Sequence, residues 1–152
     1  MPTHAEKKLM PFTRDQLFDM VADVEKYPQF LPWCVAARIK KRDGNVFWAD
    51  LMIGFKVIRE RFTSRVELNR DKWRIDVKYT DGPFHYLNNH WIFEEQPDGS
   101  TRIDFFVDFE FKNRLLQGVM GALFNEAVRL MVHSFEKRAC QLYGPDGRKS
   151  RP

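Results

Sequence analysis

The 152-residue chain is 43% hydrophobic and 14% aromatic, with Phe alone supplying 14 residues, which is too apolar for disorder and sufficient for one packed core. Charged residues make up 30%, and no apolar run approaches the ~20 residues of a spanning helix, which argues against an integral membrane protein. The net charge of +4 permits attraction to anionic lipid or nucleic acid without demanding either.

The opening segment, Met1 to Lys8, carries charge with no apolar stretch after it, so it reads as neither a secretory signal nor an Arg- and Ser-rich transit peptide. Residues before Pro11 read as a weak strand. Thr13 and Gln16 have the spacing of a capping box, and Phe12 and Leu17 that of a hydrophobic staple. Leu17, Phe18, Val21 and Ala22 then form a helical stripe. Tyr27-Pro28 ends it, because a residue before proline is pushed out of the helical region. Pro28 is expected to open a second, very short helix that Pro32 closes.

From about Val35 to Phe111 the period becomes two. Phe47, Ala49, Leu51, Ile53 and Phe55 are all apolar around Asp50. Ile58, Phe62, Val66 and Leu68 alternate with Arg59, Arg61, Arg65 and Glu67. Trp73, Ile75, Val77 and Tyr79 continue the pattern, then Leu87, Trp91 and Phe93. Last come Ile103, Phe105, Val107, Phe109 and Phe111. Turn signals separate the runs at Asp43-Gly44-Asn45, Asn69-Arg70-Asp71, Asp81-Gly82-Pro83 and Pro97-Asp98-Gly99. Consecutive strands with one apolar face predict an antiparallel meander with one solvated side.

A long helix is predicted from Arg114 to Tyr143, on Leu116, Met120, Leu123, Ala127, Met131, Phe135, Ala139 and Leu142. Gly144-Pro145 stops it. The domain is read as residues 1–144, and 145–152 as a disordered basic tail. This order of elements is an α+β fold in which a strongly curved sheet leaves an apolar concave face that only the terminal helix can cover. A sheet gripping a helix leaves room between them for a ligand.

The search for reactive constellations finds none. His85 and His90 fall on opposite sides of a strand, His133 sits beside the helical stripe, and no metal, nucleophile or phosphate motif is present. Cys34 and Cys140 are far apart and are expected as free thiols. Two polar residues, Glu60 and Ser64, share the parity of the apolar face. They either offer hydrogen bonds to a ligand head group, or Glu60 pairs with Arg59 or Arg61 or is turned outward by a bulge. Asn89, level with Leu87 and Trp91, reads first as a structural hydrogen-bonding residue. The candidate ligand-binding set is Glu60, Phe62, Ser64, Asn89, Trp91, Phe105, Phe109, Met120, Leu123, Phe124 and Met131. Core packing alone is the favoured account of its methionines.

Gly118 and Gly121 each cost ~1 kcal/mol relative to alanine in a helix. They mark either a pliable gate beside the cavity or a close approach of helix and strand. Phe55 and Phe84 stand at strand ends near basic residues, where apolar side chains can dip into a bilayer surface. Scattered aromatics need no such role. The run Arg38, Lys40, Lys41, Arg42 reads as a solvated edge rather than a nucleic-acid patch.

Six stretches together resemble one family. They are Tyr27-Pro28-Gln29-Phe30-Leu31-Pro32-Trp33-Cys34; Ala49-Asp50-Leu51 with Gly54-Phe55; Glu60-Arg61-Phe62-Thr63-Ser64-Arg65-Val66; Asp81-Gly82-Pro83-Phe84 with Leu87 and Trp91; Val107-Asp108-Phe109-Glu110-Phe111; and Phe135-Glu136-Lys137-Arg138-Ala139 with Leu142-Tyr143-Gly144. In order and spacing they resemble the coenzyme Q-binding proteins, a START-like branch of the polyketide cyclase and lipid-transport superfamily. The resemblance implies a helix-grip fold of the START and birch-allergen kind and binding of ubiquinone or a polyprenylated precursor. It implies support of quinone synthesis and respiration, with no metal, no cofactor and no catalytic residue.

The same branch includes proteins described as ribosome-association toxins, so a ribosome partner stands beside quinone or lipid. DNA is not expected. The expected location is cytoplasmic, with peripheral contact at the inner face of an inner membrane. A cavity enzyme of the cyclase type is the remaining alternative, with Glu60 its one titratable candidate.

Burial of each isoprene unit would contribute roughly 3 to 4 kcal/mol, but a bilayer offers nearly the same. Selectivity must therefore come from polar groups that meet the head group.

Overall fold

A computed structural model describes residues 3–55 and 58–144. The elements run β1 (Thr3–Met10), α1 (Arg14–Ala22), a 3-10 helix (Val24–Gln29), β2 (Cys34–Asp43), β3 (Val46–Phe55), β4 (Ile58–Asn69), β5 (Arg74–Asp81), β6 (Phe84–Glu95), β7 (Thr101–Phe111) and α2 (Arg114–Tyr143). The strands form one antiparallel sheet in the order β1-β7-β6-β5-β4-β3-β2. It is the expected START-like helix grip, a curved sheet closed over by the C-terminal helix.

Alternation places Phe47, Ala49 and Leu51 of β3, Phe62, Ser64 and Val66 of β4, and Phe105, Phe109 and Phe111 of β7 in the interior. Trp48 and Asp50 take the outer face between them. At the β5–β6 turn Gly82 has φ 141°, and a Cβ there would lie 2.9 Å from the Phe62 Cα, so the turn is seated against the backbone of β4.

The capping box at the start of α1 forms as its spacing predicts. The Thr13 side chain accepts from the Gln16 N–H, and Gln16 accepts from the Thr13 N–H. The second helix departs from expectation. It begins at Val24, not Pro28, and Pro28 lies inside it. Asp23, at φ −86° and ψ 67°, breaks α1 four residues before Tyr27. Tyr27 closes the next turn instead, its carbonyl accepting from Phe30 and Leu31.

Trp73 is also not the first residue of a strand. It sits in the β4–β5 turn at φ 53°, with its ring against Phe18 (5.8 Å) and beneath Arg14 (4.3 Å). Packing against α1 holds a left-handed conformation that a tryptophan would not choose alone.

β2, at one edge of the sheet, is interrupted by bulges between Cys34 and Ala36 and between Ile39 and Lys41. Its Ile39 N–H is given to a Glu25 carboxylate oxygen at 3.1 Å.

α2 begins on Asn113, whose side chain accepts from Leu115 and Leu116, and ends at Gly144 with φ 81°. The inward line is Met120, Phe124, Val128, Phe135 and Ala139. Leu123 and Leu142, placed on the inner stripe by the sequence pattern, lie on its flank, with Leu142 37% exposed. Steps of four and three starting at Met120 select Phe124 rather than Leu123. By length and composition alone this helix would pass for a membrane span, although Glu126 and Arg129 interrupt its apolar run. The tail beginning at residue 145 lies outside the described residues.

Candidate functional site

Between the sheet and α2 lies a pocket of about 210 Å³. β4 contributes Phe62, Ser64 and Val66, and β6 contributes Leu87, Asn89 and Trp91. β7 contributes Phe105, Val107, Phe109 and Phe111, and α2 contributes Met120, Phe124, Ala127, Val128, Met131 and Phe135. Nine of the eleven predicted site residues thus meet here. Leu123 does not, because it is rotated onto the flank of α2. Glu60 does not either. It keeps its inward parity, with no bulge in the β3–β4 register, but it sits opposite Ile53 near the turn, half-exposed and beyond the wall.

The pocket has one wall that, beyond Val21 on the α1 stripe, periodicity did not reveal. Val21, Val24, Tyr27, Leu31 and Trp33 come from α1, the 3-10 helix and the segment that follows. The signal was present in the apolar spacing of the Tyr27 to Trp33 stretch, but irregular backbone has no period from which to read a face. Phe55 and Phe84, considered as bilayer-dipping tips, are instead 8% and 2% exposed. Phe84 is stacked on Phe111 at 4.7 Å.

The polar atoms of the wall fall into two groups. Asn89 is committed to the protein, donating to the Phe106 carbonyl at 2.7 Å and accepting from the Trp91 indole at 3.1 Å. Tyr27 donates to the Val21 carbonyl, and burial, followed by the nearby Cys34 and Asp23, pushes its phenol far above the ordinary range. Ser64 differs. Its hydroxyl, on a residue 1% exposed, has no hydrogen-bond partner among the described residues.

Tyr27 is the sole titratable residue among the described lining residues, and its proton is both held and engaged. Such a wall can shelter an apolar molecule, and it offers no general acid–base pair. Among the described residues no group of three His, Cys, Asp or Glu side chains is placed to hold a metal ion. Cys34 and Cys140 are both free thiols, as expected.

Gly118 and Gly121 also resolve. A Cβ at either would meet nothing within 4 Å, so close packing against a strand does not account for them.

Residues 10–136 match the profile of the family described as polyketide cyclase / dehydrase and lipid transport. The chain belongs to that family. It is 37% identical over 135 residues to the ribosome association toxin RatA of Rickettsia prowazekii, covering 87% of this chain and 92% of that protein. It is 34% identical over 146 residues to the mitochondrial coenzyme Q-binding protein COQ10 homolog B of Xenopus laevis, covering 93% of this chain and 59% of that protein. Among solved structures, an 18 kDa protein of Caulobacter crescentus is 40% identical, with a TM-score of 0.77 over 95% of this chain and 99% of that one. The family's description, which includes lipid transport, points to an apolar ligand, and both functional names foreseen from the sequence occur among the relatives.

Proposed function

We propose that the protein holds the ring of an isoprenoid quinone, or of a related polyprenyl lipid, in this pocket and performs no chemistry on it. The observation that carries the reading is the wall itself: almost wholly apolar side chains, with no acid–base pair among those described. The similarity to a coenzyme Q-binding protein supports quinone over other apolar ligands.

Size defines the mode. At about 210 Å³ the pocket is smaller than the ~300–1,000 Å³ of sites that enclose drug-sized ligands. It suits a ring and the start of a tail, and a long tail must lie elsewhere. The outer face of α2 offers a path. From Leu115 to Asn125 the helix carries no charge, Leu115 is 76% exposed, and exposed Lys112 and Arg114 stand at its start. An uncharged helix face beside cations suits an anionic bilayer surface. The protein would then work at the inner face of an inner membrane, supporting quinone delivery and respiration.

Organic extraction of the purified protein, followed by mass spectrometry, tests this. The expected result is an isoprenoid quinone in near-stoichiometric amount. Its absence, together with no binding of added short-chain quinone, would overturn the reading.

The outer face of the sheet favours a second one. Trp48, on β3, lies between Lys41 (5.2 Å) and Arg65 (6.0 Å), with exposed Arg38, Lys40 and Arg61 nearby. Its central acid, Asp50, accepts from Thr63 and faces Arg38 and Lys40. Partial burial works to raise its pKa, but that hydroxyl and the two cations outweigh it and keep the carboxylate charged below its usual range. An aromatic ring among cations is a surface on which RNA can stack, in keeping with a ribosome-associated role. Salt-sensitive co-sedimentation with ribosomes, abolished by charge reversal at Arg61 and Arg65, is expected on that reading. Unaltered co-sedimentation of the reversed variant would dismiss it.

A further inference from the structure

We propose that Ser64 selects the ligand, donating its hydroxyl proton to an oxygen carried by an otherwise apolar molecule; this rests on reading the pocket as a quinone or lipid site. Ser64 lies near the middle of β4, between Phe62 and Val66, and pairs with Ala49 on one side and Tyr79 on the other. Neither neighbour satisfies it. Ala49 has no polar side-chain atom, and the Tyr79 oxygen accepts from the Phe84 N–H at 3.2 Å. Of the other polar side chains of the wall, Asn89, Trp91 and Tyr27 are bonded to the protein.

A buried hydroxyl without a partner destabilises the fold, and alanine would keep the strand without that cost. A water molecule is a poor remedy, because a buried water needs two to four polar partners and this wall has few to spare. A ligand oxygen is a good one. The site therefore discriminates by penalty. A plain hydrocarbon leaves the hydroxyl orphaned, whereas a ring bearing a carbonyl or ether oxygen satisfies it. The ligand class is a compact oxygen-bearing ring on an apolar tail, with the oxygen directed at β4.

Calorimetry on the full chain tests this, using a ubiquinone with one isoprene unit and an alkylbenzene carrying the same tail. Ser64→Ala is expected to weaken quinone binding about tenfold while leaving the hydrocarbon within about twofold. Without ligand, the same variant is expected to melt above the wild type, since an orphaned group has been removed. Equal loss for both probes, unchanged quinone affinity, or a lower melting temperature without ligand would each overturn the assignment. Wild type that binds neither probe would overturn the pocket reading, and the role of Ser64 with it.

Discussion

The two halves of α2 are held in different ways. Beyond Ala127 the helix is tied from several sides. Phe135 meets the rings of Tyr27, Phe30 and Trp91 at 5.6, 5.3 and 5.2 Å. Lys8 pairs with Glu136, Arg138 donates to Gln29, and the Tyr143 hydroxyl donates to the Gln16 carbonyl at 2.9 Å. Before Ala127 the helix is held by first-turn bonds at Asn113 and Gln117, by Phe124 against the rings of His4 and Phe109, and by apolar side chains that face the pocket or pack at its margin. Two glycines there pack against nothing. On the proposed reading one helix is both wall and door, anchored beyond Ala127 and more loosely supported where a ligand would enter.

The largest expected effect tests the anchor. Phe135→Ala should cost about 3–5 kcal/mol in denaturant unfolding. Phe124→Ala should cost less, because that ring packs on His4 and Phe109 at 6.5 and 5.6 Å, whereas Phe135 packs more closely on three rings. Equal losses would break the comparison. Next in size, Gly118→Ala with Gly121→Ala should stabilise the fold by about 1 kcal/mol each, since no neighbour obstructs the new methyl groups. In stopped-flow measurements the same pair should slow quinone exchange. Faster or unchanged exchange would mean that this half of α2 is not the door.

A smaller effect concerns the outer surface. Leu115→Glu should alter stability by no more than about 0.5 kcal/mol, yet reduce flotation with anionic vesicles. Undiminished flotation would remove the helix face from the membrane contact.

The smallest effect is chemical. Burial pushes the Cys34 thiol up to about 11, against the lowering pull of a backbone hydrogen bond at Ala36. A thiol reagent at pH 8 should therefore label exposed Cys140 on the anchored half and spare Cys34. The raised value means that the folded state holds this proton more tightly than the unfolded one. The associated stability is full below about pH 9 and is lost as pH rises towards 11. Labelling of both thiols at equal rates would show that the β2 end of the core opens as readily as the helix surface.

Much of this was legible in the residues because periodicity reports faces. The alternation of β3 and β7, the Thr13–Gln16 box and the extent of α2 are local patterns with local causes. Ser64 stood out as polar among apolar neighbours, but whether it was satisfied depended on strands 15 residues away in sequence. Glu60 has the same parity as Ser64, and no pattern tells how far along a strand a pocket extends. Trp73 took a turn conformation that only its tertiary contacts with Phe18 and Arg14 support. The wall from Val24 to Trp33 was illegible for a different reason, since a 3-10 helix and a loop carry no repeating face.

The bulged β2 edge has a consequence for behaviour in a crowded cell. A seven-strand sheet with a greasy interior leaves two borders where a second chain could add on and seed fibrils. Along β2 the kinks spoil the straight row of donors and acceptors that such growth requires, and Glu25 already occupies the Ile39 amide. The border nearest the cationic face is thus a poor template for such growth.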